Sequence, residues 1–134
     1  MPQNPVIIFV CEHGAAKSVV AAAYFNKFAL ETGLEFRATA RGINPDEELS
    51  PKAIAGLLAD NLTLTETTPQ KLSLADVQST QRIITFCELS AEYQSKVRVE
   101  QWDGVPPVSE DYQKARDEIV ERINQLLKDQ EDQS

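Results

Sequence analysis

Four residues with chemical potential fall within one short stretch, "CEHGAAKS": Cys11, His13, Lys17 and Ser18. A thiol, a cation and a hydroxyl at this spacing suit nucleophilic attack on an anionic substrate. The thiolate is the reactive form of cysteine. A helix-like run begins at Ser18, so the chain turns directly from Glu12–Lys17 into a helix start. Such a start presents unsatisfied N–H groups and a positive dipole end, which together attract anions. Gly14 permits the positive φ that a nest of backbone donors needs. Lys17 adds a cation in the first turn, and Ser18 can donate to the sulfur. The strand before this loop thus delivers a nucleophile to the mouth of an oxyanion cradle.

Three other readings compete for the same residues. Cys11 can be a small buried apolar residue, as free cysteines often are. A nucleotide P-loop needs glycine where Cys11 and Ala16 stand, so "CEHGAAKS" fails that pattern twice. Zinc needs more ligands than Cys11 and His13, the single histidine, can offer. No metal site is expected, and His13 reads as a loop residue or a supporting group.

The elements that must position this loop follow from hydrophobic pattern. Val6 to Val10 is a continuous apolar run, as in a strand covered on both faces. Ser18 to Thr32 repeats apolar residues at helical spacing, and Gly33 suits the position after its end. Glu35 to Ala40 reads as a second strand, followed by the turn-rich "GINPDEEL". Ser50-Pro51 marks a helix start. "TPQKLSLADVQ" holds one or two short helical pieces. "RIITF", Arg82 to Phe86, is a third strand that runs into a second thiol, Cys87, and Val97 to Trp102 is a fourth. Ser109 is placed as the cap of a last helix with Tyr112, Ala115, Ile119, Ile123 and Leu126 on one face. Alternating helices and apolar strands imply an α/β fold with a parallel sheet and right-handed crossovers. Ligands of such sheets bind beyond the carboxyl ends of the strands. Cys11 and Cys87 both fall there. If strands one and three are neighbours, the two thiols open into one crevice.

Composition narrows the classes. The chain of 134 residues suits one domain, expected over 1–128 with a polar tail over 129–134. Two distant cysteines make no disulfide framework, so a reducing, cytoplasmic setting is expected. The apolar run near the N-terminus is too short for a signal peptide or a membrane span. A net charge of −8 argues against nucleic-acid and anionic-membrane partners. Any anion site is therefore local. A domain of this size needs no second copy, and a monomer is expected.

The quoted loop, with its flanks in "VIIFVCEHGAAKSVVAAAYF", resembles the cysteine-x5-arginine-serine loop of the low-molecular-weight protein tyrosine phosphatases. The thioredoxin-coupled arsenate reductases share that fold. "ATARGINPDEELSPKAIAGLLADNLTL", "RIITFCEL" and "VRVEQWDGVPPVSEDYQKARDEIVERINQLL" extend the resemblance over nearly the whole chain. It implies a single-domain, three-layer fold with a four-stranded parallel sheet in order 2-1-3-4 and helices on both faces. It also implies that Cys11 is the nucleophile and that Ser18 supports its thiolate. The backbone of Glu12, His13, Gly14, Ala15, Ala16, Lys17 and Ser18 would form the oxyanion cradle.

The departures from the family pattern bear on activity. Lys17 stands where the family has arginine, whose planar fork grips two oxygens, whereas lysine is a point charge. Gly14 replaces a loop asparagine, and Ala40 replaces a serine on the second strand, so the hydrogen bonds supporting the loop must be absent or rebuilt. Pro106-Pro107 or Val105-Pro106 occupies the place of the family's Asp-Pro acid. Asp103 is the candidate replacement, with a turn residue before Gly104 as the competing reading. Glu110 and Asp111 are the other nearby carboxylates. Cys87 resembles the second cysteine of the reductase branch, but no third cysteine follows it.

Three functions follow. One is weak hydrolysis of phosphate monoesters, phosphotyrosine included, through a phosphocysteine at Cys11. The second is arsenate reduction by Cys11 and Cys87, with thioredoxin or glutathione as reductant. The third is non-catalytic binding of phosphate, sulfate, arsenate or a phosphorylated protein. No cofactor is expected.

Overall fold

The computed structural model describes residues 6–64 and 67–133. Four parallel strands form one sheet: β1 (Val6–Cys11), β2 (Arg37–Gly42), β3 (Arg82–Thr85) and β4 (Arg98–Gln101). Their spatial order is β2-β1-β3-β4, as the family resemblance implies. Five helices complete the fold: α1 (Lys17–Thr32), α2 (Pro51–Ala59), α3 (Leu74–Ser79), α4 (Ala91–Gln94) and α5 (Tyr112–Gln133).

Alternation along β1 builds two cores. Ile7 and Phe9 enter the larger one, with the apolar faces of α1, α2 and α5. Ile8 and Val10 enter the smaller one, with Leu72, Val77, Ile83 and Leu89. All four β1 residues are at most 2% exposed, which explains why this strand reads as an unbroken apolar run. β4 lies at the sheet edge and carries more polar residues.

Capping decides the helix ends. Ser50 accepts from the Ala53 amide at 3.3 Å, and Pro51 opens α2. Gly33, at φ 76°, closes α1, and the Leu34 amide returns to Ala29 O at 2.9 Å. The last helix differs from expectation. It begins at Tyr112, and Asp111 Oδ1 accepts from the Lys114 amide at 3.1 Å, so Asp111 takes the capping place given to Ser109. α5 also continues through Gln133, into the stretch expected as a polar tail; Ser134 lies outside the described residues. β2 begins and ends two residues later than its pattern indicated. The short α4 carried no periodic signal.

One polar cluster ties three helices together. Asp60, at the end of α2, accepts from Tyr24 of α1 and from Tyr112 and Arg116 of α5. Burial pushes the Asp60 carboxyl up, but the three donors outweigh it and hold the group below its ordinary value. Burial and the Asp60 carboxylate push Tyr24 up to about 12.

Candidate active site

β1 ends on Cys11, and α1 begins at Lys17. The five residues between them form a loop at the carboxyl edge of the sheet. Its shape is set from outside. The amide of Ile43 donates to Cys11 O at 3.2 Å, Asn44 to Glu12 O at 2.8 Å, Asp46 to His13 O at 3.0 Å and Ser50 to Ala15 O at 2.9 Å. In a trans peptide the N–H points opposite to the preceding C=O. Anchoring these carbonyls on the β2–α2 connection therefore turns the amides of residues 12–14 and 16 the other way. Among the described residues, none of the amides from His13 to Lys17 donates to a backbone carbonyl. α1 adds its own free first-turn amides, because Ala16 at its N-cap has no side-chain cap. The loop is thus rebuilt by backbone bonds where Ala40 offers no hydroxyl.

Two glycines make this close approach possible. Gly14 has φ 62°, and a Cβ there would lie 2.8 Å from Gly42 N. A Cβ on Gly42 would lie 2.6 Å from Gly14 N. The loop and the end of β2 are in backbone contact, with no room for a side chain on either.

Cys11 is 8% exposed, and its Sγ lies 3.0 Å from the Oγ of the fully buried Ser18. A cavity of about 460 Å³ opens over it. Glu12, His13, Ala15, Ala16 and Lys17 line it on the loop side. Pro51, Phe86, Pro107 and Val108 supply apolar walls. Most of the expected cradle is thus brought to one cavity with Cys11; Gly14 and Ser18 support it from behind.

Cys87 lines the same cavity. β1 and β3 are hydrogen-bonded neighbours, with Val10 paired to Thr85, so both chains deliver their thiols beyond adjacent strand ends. Both cysteines are free thiols. Burial pushes the Cys87 thiol up, the charges of Glu12 and Cys11 push the same way, and the Thr85 hydroxyl and Lys17 oppose them.

Asp103 is not brought in. It is absent from the cavity lining; its Oδ1 accepts from Gln101 Nε2 at 2.9 Å, and its carbonyl accepts from Arg122. It leads into Gly104 at φ 81°, as a turn residue would. The stretch after β4 brings Pro107, Val108 and Ser109 to the cavity instead, and none can carry a proton to a leaving group. One carboxylate was missed by sequence reasoning. Asp46, on the β2–α2 connection, lines the cavity and stands 3.4 Å from His13 Nδ1. Its only sequence signal is the acidic run within "GINPDEEL". Among the described residues, no group of three or more His, Cys, Asp or Glu side chains could hold a metal ion, and no helix is long and apolar enough to cross a membrane.

Comparison with known proteins agrees with this fold. No curated protein matches the chain. YfkJ from Bacillus subtilis superposes with a TM-score of 0.84 at 17% identity, covering 97% of this chain and 96% of its own. An arsenate reductase from Archaeoglobus fulgidus reaches a TM-score of 0.73 at 26% identity over 90% and 97%. A low molecular weight protein tyrosine phosphatase from T. tengcongensis reaches 0.80 at 18% identity over 93% and 99%. The family model described as low molecular weight phosphotyrosine protein phosphatase matches residues 6–133, and the chain belongs to that family.

Proposed function

We propose that this protein is a cysteine-dependent phosphatase that hydrolyses phosphate monoesters, phosphotyrosine among them, through a phosphocysteine at Cys11. The observation that carries the reading is the ring of outward-anchored peptides. They leave N–H groups with no backbone acceptor among the described residues, in a loop that lines a cavity with Cys11, and Ser18 lies on its sulfur. Donors fixed in place before reaction stabilise the charge of a transferring phosphoryl group without reorganising. Family membership and the phosphatase neighbour support the same chemistry. Lys17 draws the dianion in but cannot fork around two of its oxygens, so turnover is slow. The apolar walls accept the organic part of the ester. The test is hydrolysis of p-nitrophenyl phosphate across roughly pH 5–8, where histidine and cysteine chemistry operates. Wild type turns over and Cys11→Ser does not; equal activity in both removes Cys11 from the reaction.

Cys87 favours a second reading, supported by the reductase neighbour. Arsenate would bond to Cys11, and the Cys87 thiolate would attack that sulfur. The S–As pair of electrons would pass to arsenic, giving arsenite and a Cys11–Cys87 disulfide for thioredoxin or glutathione to reduce. The upward push on the Cys87 thiol works against the thiolate that this route requires. Arsenate-dependent loss of both thiols, abolished in Cys87→Ser, would establish it.

A further inference from the structure

A departing alkoxide or phenoxide needs a proton, and the family's acid position holds Pro106 and Pro107, while Asp103 faces elsewhere. The titratable groups lining the cavity are Cys11, Glu12, His13, Lys17, Asp46 and Cys87. Cys11 is committed as the nucleophile and Lys17 to the anion. Glu12 Oε1 accepts from Asn44 Nδ2 at 2.8 Å, which turns this carboxylate toward the β2–α2 connection. Cys87 is held by Thr85, whose Oγ1 lies 3.5 Å from its sulfur and also accepts from the Cys87 amide at 3.2 Å. His13 remains, and its imidazole is the group here with one ring nitrogen to donate from and one to accept at.

The ring of His13 is oriented. Its Nδ1 lies 3.3 Å from Asn44 O and 3.4 Å from Asp46 Oδ1. Both partners are acceptors, so the hydrogen at this end sits on Nδ1, shared between them. Nε2 is then the nitrogen outside these two contacts, on a residue that lines the cavity. The pair is clamped a second time through the backbone, because the Asp46 amide donates to His13 O at 3.0 Å. Contacts of this kind tighten when substrate arrives. We infer that His13 is the proton donor to the leaving group, with Asp46 as its positioning residue, in place of the family's acid. This rests on the phosphatase reading of the site.

The protons balance over two steps. The Cys11 thiolate attacks phosphorus, the P–O ester bond breaks, and the leaving oxygen takes the Nε2 proton as it departs as an alcohol or phenol. His13 is then neutral, and Nε2 is an acceptor. Water attacks the phosphocysteine, Nε2 takes its proton, and the S–P bond breaks to release phosphate and the thiolate. The sequence placed His13 in the loop, but its partner lies 33 residues away, beyond β2, and only the fold joins them.

The experiment compares kcat on p-nitrophenyl phosphate, whose leaving group needs little help, with kcat on phenyl phosphate, whose leaving group needs a proton. Wild type, His13→Gln, Asp46→Asn and Asp103→Asn are assayed together. General acid help is worth on the order of 10²-fold or more. His13→Gln should therefore lose about 10²-fold on phenyl phosphate and only a few-fold on p-nitrophenyl phosphate, with KM little changed. Asp46→Asn should show a smaller loss with the same selectivity, and Asp103→Asn, at a residue outside the cavity lining, none. Both residues of the pair are exposed, so melting temperature and binding of inorganic phosphate serve as folding controls. Equal losses on the two esters in His13→Gln, or a selective loss in Asp103→Asn instead, would overturn the assignment while leaving the phosphatase standing. No turnover of either ester by wild type would overturn the phosphatase reading itself, and this assignment with it.

Discussion

Gly42→Ala is the substitution most informative about the cradle. The new Cβ would lie 2.6 Å from Gly14 N, 2.8 Å from Gly14 Cα and 2.8 Å from His13 C. Every one of these is backbone, so no side chain can swing aside. Ordinary contact needs most of an ångström more, and the loop and the end of β2 must part by that much. Overpacking of this kind costs about 1–3 kcal/mol. Parting also stretches the bonds from Asn44 to Glu12 O and from Asp46 to His13 O, each worth about 1 kcal/mol. With about half of each bond's worth lost on stretching, the total is about 2–4 kcal/mol, which for a chain of this length lowers Tm by on the order of 10 °C. The peptides that present the cradle amides lose their anchors, so inorganic phosphate should bind at least about tenfold more weakly, a loss of ~1.4 kcal/mol. Gly33→Ala is the control. Gly33 has φ 76° and nothing within 4 Å of its would-be Cβ, so alanine there adds about 1 kcal/mol of strain and no crowding. It should lower Tm slightly and leave phosphate affinity unchanged. Thermal melting and calorimetric titration with phosphate read both. If Gly42→Ala melts with wild type and binds phosphate as well, the contact between Gly14 and Gly42 does not hold the cradle, and the reasoning fails.

Other outcomes follow from the same geometry. Ser18→Ala removes the hydroxyl 3.0 Å from Cys11 Sγ; a hydrogen bond to a charged group is worth about 1.5–3 kcal/mol, so turnover should fall by roughly 10- to 150-fold with KM little changed. Lys17→Arg supplies the fork and should raise kcat while keeping phosphate affinity; a fall in both would mean that the cavity is shaped to the ammonium. Asp60→Asn should cost about 1–3 kcal/mol at neutral pH by weakening the cluster of Tyr24, Tyr112 and Arg116, read by urea unfolding. Because the folded Asp60 carboxyl lies below its ordinary value of 3.8, its contribution is present above that value and is lost as pH falls through the depressed one. The variant should therefore show a flatter acid limb. Tyr24 is pushed up from 10.0 to about 12, so its contribution holds below 10 and is lost as pH rises to about 12; Tyr24→Phe should flatten that alkaline limb.

Much of this was legible in the chain because the elements carry strong local signals. The apolar run of β1 reports burial on both faces, Ser50-Pro51 reports a helix start, and Gly33 reports an end. The strand order came through resemblance, since apolar runs alone do not say which strands are neighbours. The cap of α5 was misplaced because Ser109 and Asp111 are both good caps, and local pattern does not choose between them. Cys11, Lys17 and the loop were legible because one short segment holds them. Asp46 was not, because its role depends on the β2–α2 connection folding back over the loop. Asp103 was attractive for its position after β4, but Gly104 and the bonds from Gln101 and Arg122 turn it away.

The central claim is that Cys11 takes the phosphoryl group. Acid quenching of the protein during turnover of p-nitrophenyl phosphate, followed by intact-mass and peptide mass spectrometry, tests it directly. The account predicts one added phosphoryl group on the peptide that contains Cys11, and none in Cys11→Ser under the same brief exposure. Turnover with no phosphoryl group on Cys11, or with the group on another residue, would contradict it.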